Sequence, residues 1–414
     1  MVGFGLPIIV MGAASLLMIP AMIAASGKVA WGVIALGQTI GAIGGVVVGY
    51  GWGWFGPSII ARNSPTGRRK DYLESIVARG VLLMPAIAVA TVAAYVLAPT
   101  LPLFAVGGAL YAVLAGLDAS WYFIGQAKPY ALLAFDTLPR VAGVALALGL
   151  MISGYSALVG QIGMCAGSLL AFASSTTRIL RETKRQGAER SQLRAPWTVL
   201  ATYRHGVASA FFSSTYRAAP LAIVSVTAPD IQPAFAIADK VKAQFLIASS
   251  PAITILQGWV PRGAGSNQAR RANAALLSTL AFILALGIGI SLLVPSLVSW
   301  LGNGQISLSR VTVALLSACV SVAVFESVLE RAVLATFRQL RVVALALVAG
   351  SSVGLLLVAL GAAKFGTAGA LGGVLAGSLV CVAIELVAYT RVMRHVVHVD
   401  TKEPLRAQQS SGDI

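Results

Sequence analysis

Charge is scarce in this chain. Of 414 residues only 11% are Asp, Glu, Lys or Arg, against about 25% in a typical soluble domain. Acidic residues number 14, and cysteines and histidines only 3 each. So few cysteines exclude a disulfide scaffold, and the absence of any Gly-X-Y period excludes collagen. No GxxxxGK[ST] phosphate loop is present, so ATP hydrolysis is not encoded. HExxH, a Ser/His/Asp constellation and paired acids flanking a soluble cleft are missing too. No enzymatic activity and no cofactor are therefore expected. The shortage of charge also excludes an ordinary water-facing surface, because 57% of the residues are hydrophobic and mean hydropathy is +0.85. The chain reads as an integral membrane protein.

What is present is a succession of long apolar runs. A hydrocarbon core of about 30 Å takes roughly 20 apolar residues per helix. Spans are predicted at 4–26, 31–56, 77–98, 101–124, 130–152 and 154–177. After a polar break they follow at 198–227, 233–257, 273–300, 307–330, 341–362 and 367–390. The runs are continuous, not alternating, which argues against transmembrane strands. The expected fold class is thus all-α, with about 12 transmembrane helices.

The net charge of +16 raises the question of nucleic acid, but in a membrane protein Lys and Arg collect in cytoplasmic loops. With the N-terminus inside, the cytoplasmic connections and tail hold 22 of the 30 basic residues, and the opposite loops hold three, Lys28, Arg310 and Lys364. This split predicts a multi-pass plasma-membrane protein with both termini cytoplasmic, and no nucleic-acid partner. No basic residue precedes Lys28, so the first run reads as a retained helix and not a cleaved signal. Cys165, Cys319 and Cys381 lie singly within spans as small packing residues.

The longest polar interruption, RILRETKRQGAERSQLR, divides the spans six and six. We expect an N-terminal six-helix lobe over 1–177, a basic cytoplasmic linker over 178–197, a C-terminal lobe over 198–390 and a tail over 391–414. A shift of 212 residues places Asp118 on Glu330, consistent with an internal repeat of the kind common in transporters.

Ionisable groups at membrane depth are costly unless paired or facing a cavity. In the first half these are Asp118, Asp136 and Arg140; Asp136 and Arg140 are four apart and share a helix face. In the second half Arg204 and Arg217 fall on the seventh span, Asp239, Lys240 and Lys242 on the eighth, Glu326 and Glu330 on the tenth, and Glu385 on the twelfth. The basic residues point to an anion, since Arg and Lys suit phosphate oxygens. Asp118, Asp239, Glu326 and Glu330 are candidates for ion coupling, against the plain alternative of helix-to-helix hydrogen bonding.

Three stretches carry a family likeness. The run Trp31-Gly32-Val33-Ile34-Ala35 with Gly49-Tyr50-Gly51-Trp52-Gly53-Trp54-Phe55-Gly56 resembles the opening helices of Wzx-type polysaccharide flippases of the MATE/MOP superfamily. Trp121-Tyr122-Phe123-Ile124-Gly125-Gln126 resembles their aromatic–glycine turn after the fourth helix. Phe235-Ala236-Ile237-Ala238-Asp239-Lys240 resembles their Tyr-x-x-Ala-x-Lys start of helix eight, with Phe in place of Tyr. The resemblance implies two six-helix lobes around a cationic, alternating-access cavity. It further implies translocation of a polyprenyl-diphosphate-linked oligosaccharide to the outer leaflet for cell-surface polysaccharide biosynthesis. Arg217, Lys240, Arg204 and Arg140, with Lys242 beside them, would hold the anionic part. Partners implied are the lipid-linked oligosaccharide, membrane lipids, and a polysaccharide polymerase or glycosyltransferases. The alternative is an ion-coupled exporter of a soluble solute, either MATE-like or of the major-facilitator type; the loop ARNSPTGRRKDYLE lacks the Gly and Asp of the latter's GxxxDRxGRR signature.

Overall fold

The computed structural model describes residues 5–187, 192–262, 266–337 and 339–410. Within these, side chains are described except at 54, 203–214, 216–217, 262, 266, 340 and 395–410. The described elements are all helical, with no strand among the described residues. In order they are α1 (Gly5–Gly49), α2 (Trp52–Arg62), α3 (Pro65–Leu97), α4 (Pro102–Leu114), α5 (Ser120–Gly125), α6 (Pro129–Leu132), α7 (Leu138–Ile152), α8 (Ala157–Arg185), α9 (Pro196–Thr227), α10 (Gln232–Trp259), α11 (Ser266–Leu301), α12 (Arg310–Val328) and α13 (Leu340–Ser410). Single π-helical stretches, Leu133–Thr137 and Leu329–Leu334, join α6 to α7 and extend α12.

Eight helical stretches are long and apolar enough to cross a membrane. Two of them are long enough to cross twice. α1 has 45 residues, or about 68 Å at 1.5 Å per residue; it is broken at Gly27, where φ is +83°. α13 breaks at Gly366, with φ +61°, a conformation that glycine adopts without steric cost. α9 and α10, at 32 and 28 residues, have the length of a span, and α10 carries three charges in four residues, Asp239 to Lys242. The chain is thus a multi-pass helical membrane protein.

The ends of the helices differ from the sequence expectation in three places. The second span stops at Gly49, not 56, because Tyr50 and Gly51 take φ of +46° and +74° and α2 starts as a separate helix. α3 begins at Pro65, twelve residues before the expected start. Ser64 caps it by accepting from the Gly67 N–H at 3.4 Å, and proline at a first helical turn loses nothing. The fourth span is interrupted after Leu114 by a 3₁₀ turn, Ala115–Leu117, before α5 resumes.

By contact the chain falls into two compact units: Met1–Ala236 with Ser299–Ile306, and Ile237–Val298 with Ser307–Ile414. In the first, the second half of α1 lies against α4 with almost nothing between the backbones. A Cβ on Gly37 would come within 2.0 Å of the Ala105 carbonyl oxygen, and one on Gly41 within 2.2 Å of that of Ala109. Both partners advance together in sequence, so the two helices run parallel, as a second and a fourth span must. α7 and α8 form the opposite case. Gly143 meets Gly167, Ala147 meets Gly163, and Met151 meets Gly160, an antiparallel hairpin turning at 153–156.

The second unit repeats that device within α13. Gly350 meets Gly377 and Cys381, Gly354 meets Gly377, Gly373 meets Val358, and Gly361 meets Gly369. Only a helix folded back on itself near Gly366 brings those pairs together. Its core gathers Ile253, Val260, Leu276, Val328, Val333 and Tyr389.

Candidate functional site

Two sets of ionisable side chains lie on helices that the sequence reads as spans, one in each unit. In the first unit Arg140 is the hub. Its guanidinium Nη2 stands 3.3 Å from Asp136 Oδ1 and 3.6 Å from Asp118 Oδ1. Asp136 is buried and Arg140 nearly so, whereas the Asp118 side chain is 41% exposed. Asp136 sits in the π-helical stretch, which advances its side chain relative to a regular α-turn. Asp118 sits at the end of the 3₁₀ turn, held by the Ser120 N–H at 2.9 Å and by the Ser120 hydroxyl. Arg140 therefore meets two carboxylates, and an incoming anion would have to displace them.

A second buried cation lies nearby, at the third residue of the third span expected from the sequence. Arg79 is 1% exposed, because α3 starts at Pro65 and carries it inward. Its Nη1 donates to the Asp118 carbonyl at 2.9 Å and its Nη2 to Ser75 Oγ at 3.0 Å. The guanidinium lies 5.5 Å from the centroid of Trp121. Trp121 stacks on Trp52 at 5.0 Å, and Tyr72 and Tyr122 complete the cluster. Two of the sequence motifs thus meet: a Cβ on Gly56 would lie 2.5 Å from the Trp121 ring, and one on Gly125 would lie 2.7 Å from the Pro57 carbonyl. Their glycines allow aromatic packing, and the packing shields the Arg79 charge. No substrate contact is needed to explain either motif.

The second unit holds a mixed acid–base set on α10 and an acidic set on α12 and α13. On α10, Lys242 Nζ stands 2.7 Å from Asp239 Oδ1, and Asp239 also lies within electrostatic reach of Lys240. On the paired α12 and α13, Glu326 faces Ser378 and Cys381, while Glu385 faces Glu330 and Glu326. Glu385 is fully buried, and neither of its carboxyl oxygens has a well-formed hydrogen bond. Among the described residues no such group converges tightly enough to hold one metal ion. Of the other sequence-predicted site residues, the side chains of Arg204 and Arg217 lie outside the described residues.

Comparison with solved structures places this arrangement in a known fold. The chain superposes on the crystal structure of the eukaryotic MATE transporter AtDTX14 with a TM-score of 0.65, at 14% identity, covering 95% of this chain and 96% of that one. It matches the inward-facing conformation of a multidrug resistance MATE family transporter of the MOP superfamily at TM-score 0.66 and 12% identity, over 93% and 95% of the two chains. The lipid II flippase MurJ, in an inward closed conformation, matches at TM-score 0.61 and 14% identity, over 93% and 86%. The chain shares the fold of these three transporter structures. No family model matches the sequence, and no curated protein is similar to it by sequence. At 12–14% identity the likeness is one of fold.

Proposed function

We propose that this protein is a flippase that moves a polyprenyl-diphosphate-linked oligosaccharide to the outer leaflet for cell-surface polysaccharide synthesis, by alternating access between its two lobes. The observation that carries the reading is a fold shared with a lipid II flippase in a chain that keeps Lys240 and Lys242 on one membrane-depth helix, α10. Arg204 and Arg217 precede them on α9. Arg and Lys are the natural ligands of a diphosphate, whereas a cationic solute would be repelled by such a surface. Arg140, in the other unit, is open to an anion only when Asp136 and Asp118 release it. The prenyl chain stays in lipid, so the protein has to replace water only around the polar head. A polysaccharide polymerase or glycosyltransferases are the partners this reading proposes.

Glu326, Glu330 and Glu385 give the reading a driving force. Three carboxyls so close at low dielectric need compensating positive charge, as a proton or a cation. Loading and release of that charge would bias one lobe conformation over the other. The same feature also fits an ion-coupled exporter of a soluble solute, which the two MATE structures favour.

Mass spectra of lipid extracts from cells with and without the protein separate the two readings. The flippase reading expects a polyprenyl-diphosphate oligosaccharide to accumulate in the deficient cells and its surface polymer to disappear. Arg217→Ala and Lys240→Ala are expected to reproduce that loss while still inserting in the membrane. An unchanged lipid-linked pool would transfer the function to soluble-solute export.

A further inference from the structure

The last turns of α8 carry a cleft that none of the groups above uses. It has a volume of about 420 Å³ and is lined by Phe135, Leu170, Ser174, Arg178, Arg181 and Arg185, with Ala173 and Thr177 between them. That volume lies in the range of small-molecule pockets. Leu170, Ser174, Arg178, Arg181 and Arg185 follow one another at spacings of three and four, so they form one stripe on one helix face. Along that stripe the chemistry changes in order: aliphatic carbon, then small hydroxyls, then three guanidinium groups.

The apolar end of the stripe faces outward. Leu170 is 55% exposed, and Leu169 and Ile162 on the same helix are exposed as well. Such side chains belong against hydrocarbon, and the arginines that follow them belong at the headgroup level. Arg178 is partly engaged: its Nη2 stands 3.3 Å from Glu182 and its guanidinium 5.4 Å from the Phe135 ring. Glu182 is shared with Lys128. Among the described residues no carboxylate pairs with Arg181 or Arg185, both exposed. The cleft therefore keeps a surplus of positive charge directly above an aliphatic wall.

We infer that this cleft binds an anionic glycerophospholipid of the surrounding leaflet, its phosphodiester against Arg181 and Arg185 and an acyl chain along Leu170 and Ala173. A basic pocket beside a membrane helix suits such a headgroup, and each basic residue near an anionic surface strengthens binding about fivefold. The hydroxyl of Thr177 is placed to donate to a headgroup oxygen, whereas Ser174 Oγ already donates to the Phe135 carbonyl at 2.6 Å. The inference rests on membrane insertion of α8 and not on the cargo proposed above.

Native mass spectrometry of the full-length, detergent-solubilised protein tests it, titrated with dioleoylphosphatidylglycerol, dioleoylphosphatidylcholine or undecaprenyl phosphate. Phosphatidylglycerol is expected to be retained well above phosphatidylcholine. Arg181→Gln and Arg185→Gln should each weaken that retention roughly fivefold while leaving phosphatidylcholine binding and the melting temperature unchanged. Both side chains are exposed, so neither replacement threatens the fold. Equal retention of the two phospholipids, or full retention by the double variant, would overturn the site. Undecaprenyl phosphate displacing phosphatidylglycerol at a much lower concentration would overturn its assignment to membrane phospholipid and make it a carrier-lipid site.

Discussion

At the scale of single residues, the charges in this protein are organised by pairing first. Glu74, which is 1% exposed, accepts from the Arg194 backbone N–H and Nε at 2.9 Å each and from Nη2 at 2.7 Å, tying the segment before α9 to α3. Arg194→Ala leaves that carboxylate only the backbone N–H as a partner and is expected to destabilise the protein by about 2 kcal/mol. Adding Glu74→Gln should restore part of the loss in a detergent melting curve, since the carboxylate charge is then gone. The Arg140 hub makes a similar prediction with a functional readout. Arg140→Gln should lower both stability and transport, and Arg140→Gln with Asp136→Asn should recover stability but not transport. If the double variant also recovers transport, Arg140 is merely a counter-ion. How much of this was legible in the sequence varies by residue. The pairing of Asp136 with Arg140 follows from their spacing alone. The approach of Asp118 does not, because it depends on a 3₁₀ turn that ends α4 one residue before it. Arg79, at the edge of the expected third span, is not singled out by the sequence pattern. The signal that would have found it is Ser64-Pro65, a helix-start pair that carries the helix back to residue 65 and turns Arg79 inward.

At the scale of helices, glycine sets how closely elements approach. Gly41→Leu has to push α1 and α4 apart, since even a Cβ there would lie 2.2 Å from the Ala109 oxygen. A marked fall in melting temperature is expected, and Gly41→Ala should show a smaller one. Gly149→Ala on α7 meets nothing within 4 Å and should hold or gain up to about 1 kcal/mol from helix propensity. Equal effects at the two sites would mean that backbone freedom and not helix contact decides. The small-residue spacing of Gly41 and Gly45 is visible in the sequence, but their partner helix is not. Pairing is fixed by residues some 70 positions away, and nothing local encodes it. The two glycine-lined hairpins, α7 with α8 and the two arms of α13, show the same limit. Gly143 corresponds to Gly350 at a shift of 207, and Gly163 and Gly167 correspond to Gly373 and Gly377 at a shift of 210. The two hairpins thus share a pattern of close glycine contacts that amino-acid identity, compared at a shift of 212, barely registers.

At the scale of the whole molecule, the remaining question is which face each loop occupies. The distribution of Lys and Arg calls for an even number of crossings before the basic connection after α8, and the helices are long enough to supply six. α1 supplies two crossings through its break at Gly27, α3 a third, α4 with α5 a fourth, and the α7–α8 hairpin a fifth and a sixth. The parallel run of the second crossing beside the fourth, and the antiparallel hairpin after it, are both consequences of that count. On that count Lys28 is expected on the outer face, Gln186 on the cytoplasmic face and Gln305 on the outer face again. All three side chains are exposed, so single cysteines there report the topology directly. Cys165, Cys319 and Cys381 carry no disulfide, and replacing them with Ala leaves a background free of thiols. In intact cells a membrane-impermeant maleimide should label Lys28→Cys and Gln305→Cys and leave Gln186→Cys untouched. Inverted vesicles should reverse the pattern. Labelling of Gln186→Cys from outside would invert the molecule in the bilayer, placing its basic loops on the wrong side of the charge rule and the Arg181 and Arg185 cleft in the outer leaflet. A diphosphate-bearing lipid made in the cytoplasm would then meet the opposite end of the protein, and the proposed direction of transport would fall with the topology.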